Sequence, residues 1–176
     1  MYYKPEKIKI PQHQIEEFFT ITESNFAKLD KSKKYILSFS CGKDSIVLLE
    51  MALKYGIKPI VYHQYIIEDL SFNKEVLGYY QSKGIEINLI ESGMVAKMQK
   101  ADLLCINKVL DIKGSKVNPL KKTEELIYEL EKFDFNLIGI KQNDSPNRRM
   151  VINKHGWLHT KDKKAYPIYN WSDKMA

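Results

Sequence analysis

Cysteine and long apolar runs are scarce in this chain. Its 176 residues include two cysteines, Cys41 and Cys105, with no metal-type spacing between them, so we expect no zinc or iron–sulfur site held by this chain alone. The longest apolar stretches are far shorter than the roughly 20 residues that a membrane-spanning helix needs. The N-terminus also has no apolar core of signal-peptide length. These absences predict a soluble protein of the reducing cytoplasm with no membrane partner.

Arginine is scarcer still. Arg148 and Arg149 are the only two arginines among 28 basic residues. A guanidinium can hold a phosphate or sulfate through two parallel hydrogen bonds, which a lysine ammonium cannot. We therefore predict that both arginines contact such a group. The alternative is a solvated basic loop.

The net charge of +6 is concentrated in one part of the chain. The segment 141–164, called here the basic segment, has seven Lys and Arg against two Asp, which gives 7 − 2 = +5. A positive surface of this kind favours polyanionic partners. Either a nucleotide or a nucleic acid bound through the basic segment would satisfy it.

Apolar periodicity predicts alternating strands and helices. The predicted strands are 35–40, 58–66, 85–91 and 135–140, and the predicted helices are 11–29, 44–56, 71–84, 93–114 and 118–133. We expect residues after 143 to form a loop and short strands. Because parallel strands need crossovers, usually helical, this order predicts a three-layer Rossmann-like α/β fold with a mostly parallel sheet. We expect a nucleotide-binding domain at 34–176, preceded by a helical extension at 1–33 and closed by a basic loop and tail at 141–176.

The segment "SCGKDS", residues 40–45, follows the first predicted strand, where ligands bind in such sheets. Gly42 permits close backbone approach to an anion, and residues 43–45 begin a helix whose N–H groups and dipole attract negative charge. The segment is not a Walker A loop, whose first glycine would fall at Leu37 and whose Ser or Thr is replaced by Asp44. It predicts a phosphate cradle, against the alternative of a tight turn with a helix cap.

Cys41 has two interpretations of its own. A thiol at the start of a helix near Lys43 should have a lowered pKa and could be reactive. More often, a cysteine in such a loop packs as a small apolar residue.

Three stretches carry a family resemblance: "FSCGKDSIVLLEMA", "GIKQNDSPNRR" and "YPIYNWS". The first resembles the PP-loop, S-G-G-x-D-S, of the N-type ATP pyrophosphatases, with Cys41 at a glycine position. Together they resemble the phosphoadenosine phosphosulfate (PAPS) reductase family, whose G-x-R-x-x-E-S-x-x-R and P-I-x-x-W-[ST] motifs match the second and third. Lys141 and Gln142 stand where that family often has arginine.

The resemblance implies a five-stranded parallel sheet with an adenine nucleotide lying across the strand ends. Tyr62 and His63 would border the adenine, and Gly139 would leave space beside the nucleotide. The phosphates would contact Ser40, Cys41, Gly42, Lys43, Asp44 and Ser45. The catalytic candidates are Lys43, Asp44, Arg148 and Arg149.

The resemblance leaves the chemistry open between two nucleotides. ATP would bring Mg²⁺ close to Asp44, whereas PAPS reduction needs no metal. Sulfite-forming PAPS reductases have an E-C-G-x-H tail whose cysteine attacks the sulfate sulfur, and this chain has no cysteine after Cys105. We therefore expect an enzyme acting at the phosphate or sulfate end of PAPS or ATP, with a thiol reductant or a partner subunit. The alternative is a non-catalytic subunit that binds a nucleotide or a nucleic acid.

Overall fold

The computed structural model describes residues 11–66, 70–92 and 123–172. The helices are α1 (Gln12–Ala27), α2 (Lys43–Lys54), α3 (Ser71–Ser82), α4 (Thr123–Leu130) and α5 (Pro146–His155). The strands are β1 (Tyr35–Ser38), β2 (Ile60–Tyr65), β3 (Ile87–Glu91), β4 (Phe135–Leu137), β5 (Leu158–His159) and β6 (Lys164–Ala165). The predicted helix at 93–114 lies outside the described residues.

The strands form one sheet in the order β3-β2-β1-β4-β6-β5. The pairs β3–β2, β2–β1, β1–β4 and β4–β6 are parallel, and β5 pairs with β6 in antiparallel orientation. The sheet is therefore mostly parallel, as predicted. It has six strands among the described residues, because a hairpin adds β5 beyond the five parallel ones. The chain runs outward from β1 through β2 to β3 and then returns to β4 on the other side of β1. The order reverses between β1 and β4, and ligands bind at such a point.

Apolar side chains cover both faces of the sheet. Leu37 belongs to the larger core cluster, together with residues of α1, α2 and α3. Its neighbour Ile36 belongs to a second cluster with Ile127 of α4 and Phe133. Consecutive strand residues point to opposite faces, so helices lie on both sides and the three-layer Rossmann-like arrangement is confirmed.

Helix α1 packs against the stretch "YPIYNWS", residues 166–172, which is called here the C-terminal motif. The indole N–H of Trp171 donates to Thr22 Oγ1 at 2.6 Å, and Asn25 Nδ2 donates to the Pro167 carbonyl at 2.9 Å. Phe26 is fully buried in the larger core cluster. The helix that we predicted as an N-terminal extension therefore shares its core with the sheet.

Helix α5 is the main departure from the predicted elements, because we expected only a loop and short strands there. The Ser145 side chain caps it by accepting from the Arg148 N–H, and Pro146 is its first residue. Gly156 ends the helix with a φ of 77°. These are ordinary start and stop signals of helices. The helix lacked the clear apolar stripe by which the other helices were predicted.

None of the helices in the described part of the chain is both long and apolar enough to cross a membrane.

Candidate functional site

The turn between β1 and α2 lies at the switch point. Gly42 precedes α2 in an extended conformation, with φ −81° and ψ 159°, and no side chain among the described residues caps the helix. Ser40 Oγ accepts from the Gly42 N–H at 3.3 Å and donates to Ser45 Oγ at 3.2 Å, which in turn donates to the Gly42 carbonyl at 2.8 Å. The two serines therefore brace the turn, and the first turn of α2 begins at the switch point, where the N-terminus of a helix attracts negative charge.

Cys41 is the residue on which the shape of the turn depends. Its φ is +60°, a left-handed conformation that glycine adopts without strain. The side chain is fully buried in the core, and its Sγ lies 3.6 Å from His63 Nδ1. Burial raises the pKa of the Cys41 thiol to about 11. Of the two interpretations of Cys41, the structure therefore favours the packed apolar residue, because loss of solvation disfavours the thiolate.

We therefore predict that Cys41 resists alkylation in the folded protein. At pH 8 only about one thiol in a thousand would be ionised, as follows from the definition of the pKa. Iodoacetamide labelling followed by peptide mass spectrometry should find Cys41 unmodified in buffer and modified after unfolding in guanidinium. A Cys105→Ser variant serves as the background, and rapid native labelling of Cys41 would contradict the prediction.

Tyr62 and His63 do not form one wall of a pocket. His63 is buried beneath the turn, and its Nδ1 donates to the Phe39 carbonyl at 2.8 Å, since a carbonyl can only accept. Tyr62 belongs to the cluster on the α4 face, where burial raises its pKa. As neighbours on a strand they point to opposite faces. His63 therefore supports the turn and Tyr62 packs on the other face, and a contact of either residue with the adenine stays a prediction.

A chain of charged groups joins α2 to α5. Lys141 is almost completely buried, with 1% of its side chain exposed, and its Nζ lies 2.7 Å from Asp44 Oδ2 and 3.6 Å from Asp144 Oδ1. The Lys141 N–H donates to Asp144 Oδ2 at 3.0 Å, and the Arg148 guanidinium bonds to the same oxygen. The two groups of residues predicted from the sequence, residues 40–45 and the arginine pair, are thus connected through Lys141 and Asp144.

The two arginines of this site are exposed, in contrast to the buried Lys141. Arg148 and Arg149 lie in the first turn of α5 and are exposed to solvent. The Arg149 guanidinium donates to Asn143 Oδ1 at 3.5 Å, and its backbone N–H donates to the Ser145 carbonyl at 3.1 Å. A Cβ added to Gly139 would lie 3.4 Å from Asp44 Cβ, so glycine here allows the chain after β4 to pass close to α2.

The comparison with family models gives one match. Residues 34–176 match the phosphoadenosine phosphosulfate reductase domain. The chain belongs to the PAPS reductase domain family. A search among curated proteins finds no significant match.

Membership of the PAPS reductase family indicates a broad function for the chain. The family binds nucleotides and is related to sulfur metabolism, and its substrate is a nucleotide of the PAPS type. The matched region contains the turn after β1, the charged groups that join α2 to α5, and the C-terminal motif. The site at the switch point is therefore where a nucleotide of this type would be expected to bind.

Asp44 is the residue that we predicted could lie close to a magnesium ion bound with ATP. One of its carboxylate oxygens is paired with the buried ammonium of Lys141, and the other, Oδ1, is buried with no hydrogen-bond partner among the described residues. Mg²⁺ that accompanies a nucleotide usually keeps several waters and is held by one or two carboxylates together with the phosphates. The described part of the chain has no cluster of three His, Cys, Asp or Glu side chains that could hold a metal.

Proposed function

We propose that this chain binds an adenine nucleotide of the PAPS type across the carboxyl ends of β1 and β4 and acts at its phosphate or sulfate end. One observation supports this most strongly. The uncapped start of α2 and the arginine-bearing start of α5 are joined through Lys141, which pairs with Asp44 and contacts Asp144, the carboxylate that bonds to Arg148. Two helix N-termini held at the switch point provide two neighbouring sites for anions.

Residues at the two helix starts would bind different anionic groups of the nucleotide. The first-turn N–H groups of α2 and the ammonium of Lys43 would hold one phosphate, while Arg148 and Arg149 would hold a second phosphate or the sulfate. Donors fixed in this way can stabilise charge that develops on the leaving oxygen during the reaction. Cys41 is buried and un-ionised near neutral pH, so it does not supply a nucleophile. An external thiol, or a partner subunit that carries one, would reduce the sulfate sulfur.

The reaction can be tested with the purified protein. PAPS with excess dithiothreitol should give adenosine 3′,5′-bisphosphate and sulfite, with two thiols oxidised to one disulfide for each PAPS. ATP with Mg²⁺ should give no AMP and pyrophosphate. Formation of those two products instead would favour the ATP pyrophosphatase reaction over PAPS reduction.

We predict that Lys43→Ala weakens binding of adenosine 3′,5′-bisphosphate about 10- to 100-fold, because a hydrogen bond to a charged group contributes roughly 1.5–3 kcal/mol. Isothermal titration calorimetry would measure the affinity. Lys28→Ala is the control, since Lys28 is an exposed lysine after α1 and outside the proposed site. Equal affinities for Lys43→Ala and the unmodified protein would show that the phosphate position is wrong.

The alternative function, a binding subunit without chemistry of its own, is favoured by the surface of the basic segment. Arg148, Arg149, Lys154 and Lys161 are all exposed there. A nucleic acid bound mainly through its phosphates would lose affinity steeply between about 50 and 200 mM salt. Fluorescence anisotropy with a labelled oligonucleotide would measure this dependence. Salt-sensitive oligonucleotide binding without turnover of PAPS or ATP would favour the subunit.

A further inference from the structure

Lys141 is unusual because a long cationic side chain is almost completely enclosed. It is among the largest fully buried side chains in the described part of the chain, together with Trp171 and Phe26. Lysine is almost never fully buried unless it is paired, since removal of an ammonium from water costs several kcal/mol. Here the ammonium faces two carboxylates, Asp44 and Asp144, that belong to different segments of the site.

The position of these carboxylates creates a difficulty for anion binding that Lys141 resolves. Asp44 lies in the first turn of α2, among the donors that would hold a phosphate. An uncompensated carboxylate there would repel the phosphate, and the effect would be strong because buried charges are poorly screened. The ammonium at 2.7 Å neutralises this carboxylate from beneath, on the side away from solvent.

Lys141 is also linked to Arg148 through Asp144. The Asp144 carboxylate accepts a hydrogen bond from the Lys141 backbone N–H and also contacts the Lys141 ammonium. The same carboxylate accepts a hydrogen bond from the Arg148 guanidinium. The first turn of α5 is therefore linked to α2 through one buried side chain. A 1 Å displacement of such a group can cost a large factor in binding or rate.

We propose that Lys141 is a positioning residue for the nucleotide: its ammonium acts as an internal cation between Asp44 and Asp144, and so fixes Arg148 relative to residues 40–45. It occupies the place that a divalent cation would take between two carboxylates. This inference rests on the proposed nucleotide function. It adds that a buried side chain of this chain balances the charge of Asp44 and Asp144.

The test compares Lys141→Met with Lys141→Arg, using adenosine 3′,5′-bisphosphate as the ligand and calorimetry in EDTA. Methionine removes the charge and should weaken binding about tenfold or more, whereas arginine keeps the charge and should stay within about threefold of the unmodified protein. Lys54→Met is the matched control, because Lys54 forms an ion pair with Glu23 at 2.9 Å on the exposed surface. It should bind like the unmodified protein.

Two further readouts separate positioning from a purely structural role. Arg148→Gln should weaken binding strongly in the unmodified protein but little in the Lys141→Met background, because an arginine that is no longer positioned has less binding to lose. Added Mg²⁺ should leave the affinity of the unmodified protein unchanged and partly restore that of Lys141→Met. Equal losses from Arg148→Gln in both backgrounds, or a Mg²⁺ requirement of the unmodified protein, would overturn the proposal.

Failure of this proposal is distinguishable from failure of the proposed function. If the unmodified protein binds the nucleotide and Lys141→Met binds it equally well, the positioning role is wrong while the function stands. If the unmodified protein binds no adenine nucleotide, the proposed function fails and the positioning role with it. If Lys141→Met does not fold by circular dichroism, Asp144→Ala replaces it, since this variant keeps the Asp44–Lys141 pair and removes the link to Arg148. Unchanged affinity of Asp144→Ala would then overturn the proposal.

Discussion

Replacing Arg148 or Arg149 with lysine should weaken binding of adenosine 3′,5′-bisphosphate about 10- to 100-fold, although the net charge stays the same. Lysine keeps the positive charge but loses the planar fork that forms two parallel hydrogen bonds to a phosphate. Hydrogen bonds of that kind contribute roughly 1.5–3 kcal/mol each. We expect the larger loss for Arg148, because Asp144 already holds its guanidinium in place and less freedom is lost on binding.

Charge-conserving substitutions also separate the two candidate functions. A nucleic acid that docks by charge alone would bind the Arg148→Lys and Arg149→Lys variants almost as well as the unmodified protein. The matched control is Lys154→Ala, since this exposed lysine lies in the last turn of α5, away from the arginine pair. Loss of nucleotide affinity in Lys154→Ala as large as in the arginine variants would contradict a specific anion site at the start of the helix.

The parts of the fold that the sequence predicted are those encoded locally. The strand, turn and helix around residues 40–45 follow from an apolar run, a polar break and a second apolar run within about twenty residues. The opposite orientations of Tyr62 and His63 follow equally well from the two-residue period of a strand. Adjacent strand residues are therefore poor candidates for one wall of a pocket.

The features of the site that could not be predicted depend on contacts between residues far apart in the sequence. Asp44 and Lys141 are 97 positions apart in the chain, and only the pairing of β4 with β1 brings them together. Nothing in the sequence around Lys141 distinguishes this buried lysine from the exposed ones. The Cys41 thiol shows the same limit, because its position at a helix start is local whereas the burial that raises its pKa comes from packing with His63 and α3.

Trp171→Ala should reduce the free energy of unfolding by about 3–5 kcal/mol, the range for removal of a large buried aromatic side chain. The Trp171 side chain is 2% exposed, its ring lies edge-on to Phe19 with centroids 5.2 Å apart, and its N–H donates to Thr22. The loss would therefore open a cavity between the C-terminal motif and α1, a helix that precedes the family match at residue 34. Urea unfolding followed by circular dichroism would measure the change.

Two companion variants identify the source of that stability. Thr22→Val keeps the indole but removes the acceptor of its N–H, together with the 3.5 Å hydrogen bond from the Thr22 hydroxyl to Asn170 Oδ1. It should cost about 1–3 kcal/mol, the penalty for a buried donor left unsatisfied. Phe72→Ala is the control, since Phe72 is 59% exposed and its loss should change stability by less than about 0.5 kcal/mol. A Trp171→Ala protein as stable as Phe72→Ala would mean that α1 does not hold the C-terminal motif, and residues 1–33 would then be a separable extension of the nucleotide-binding domain.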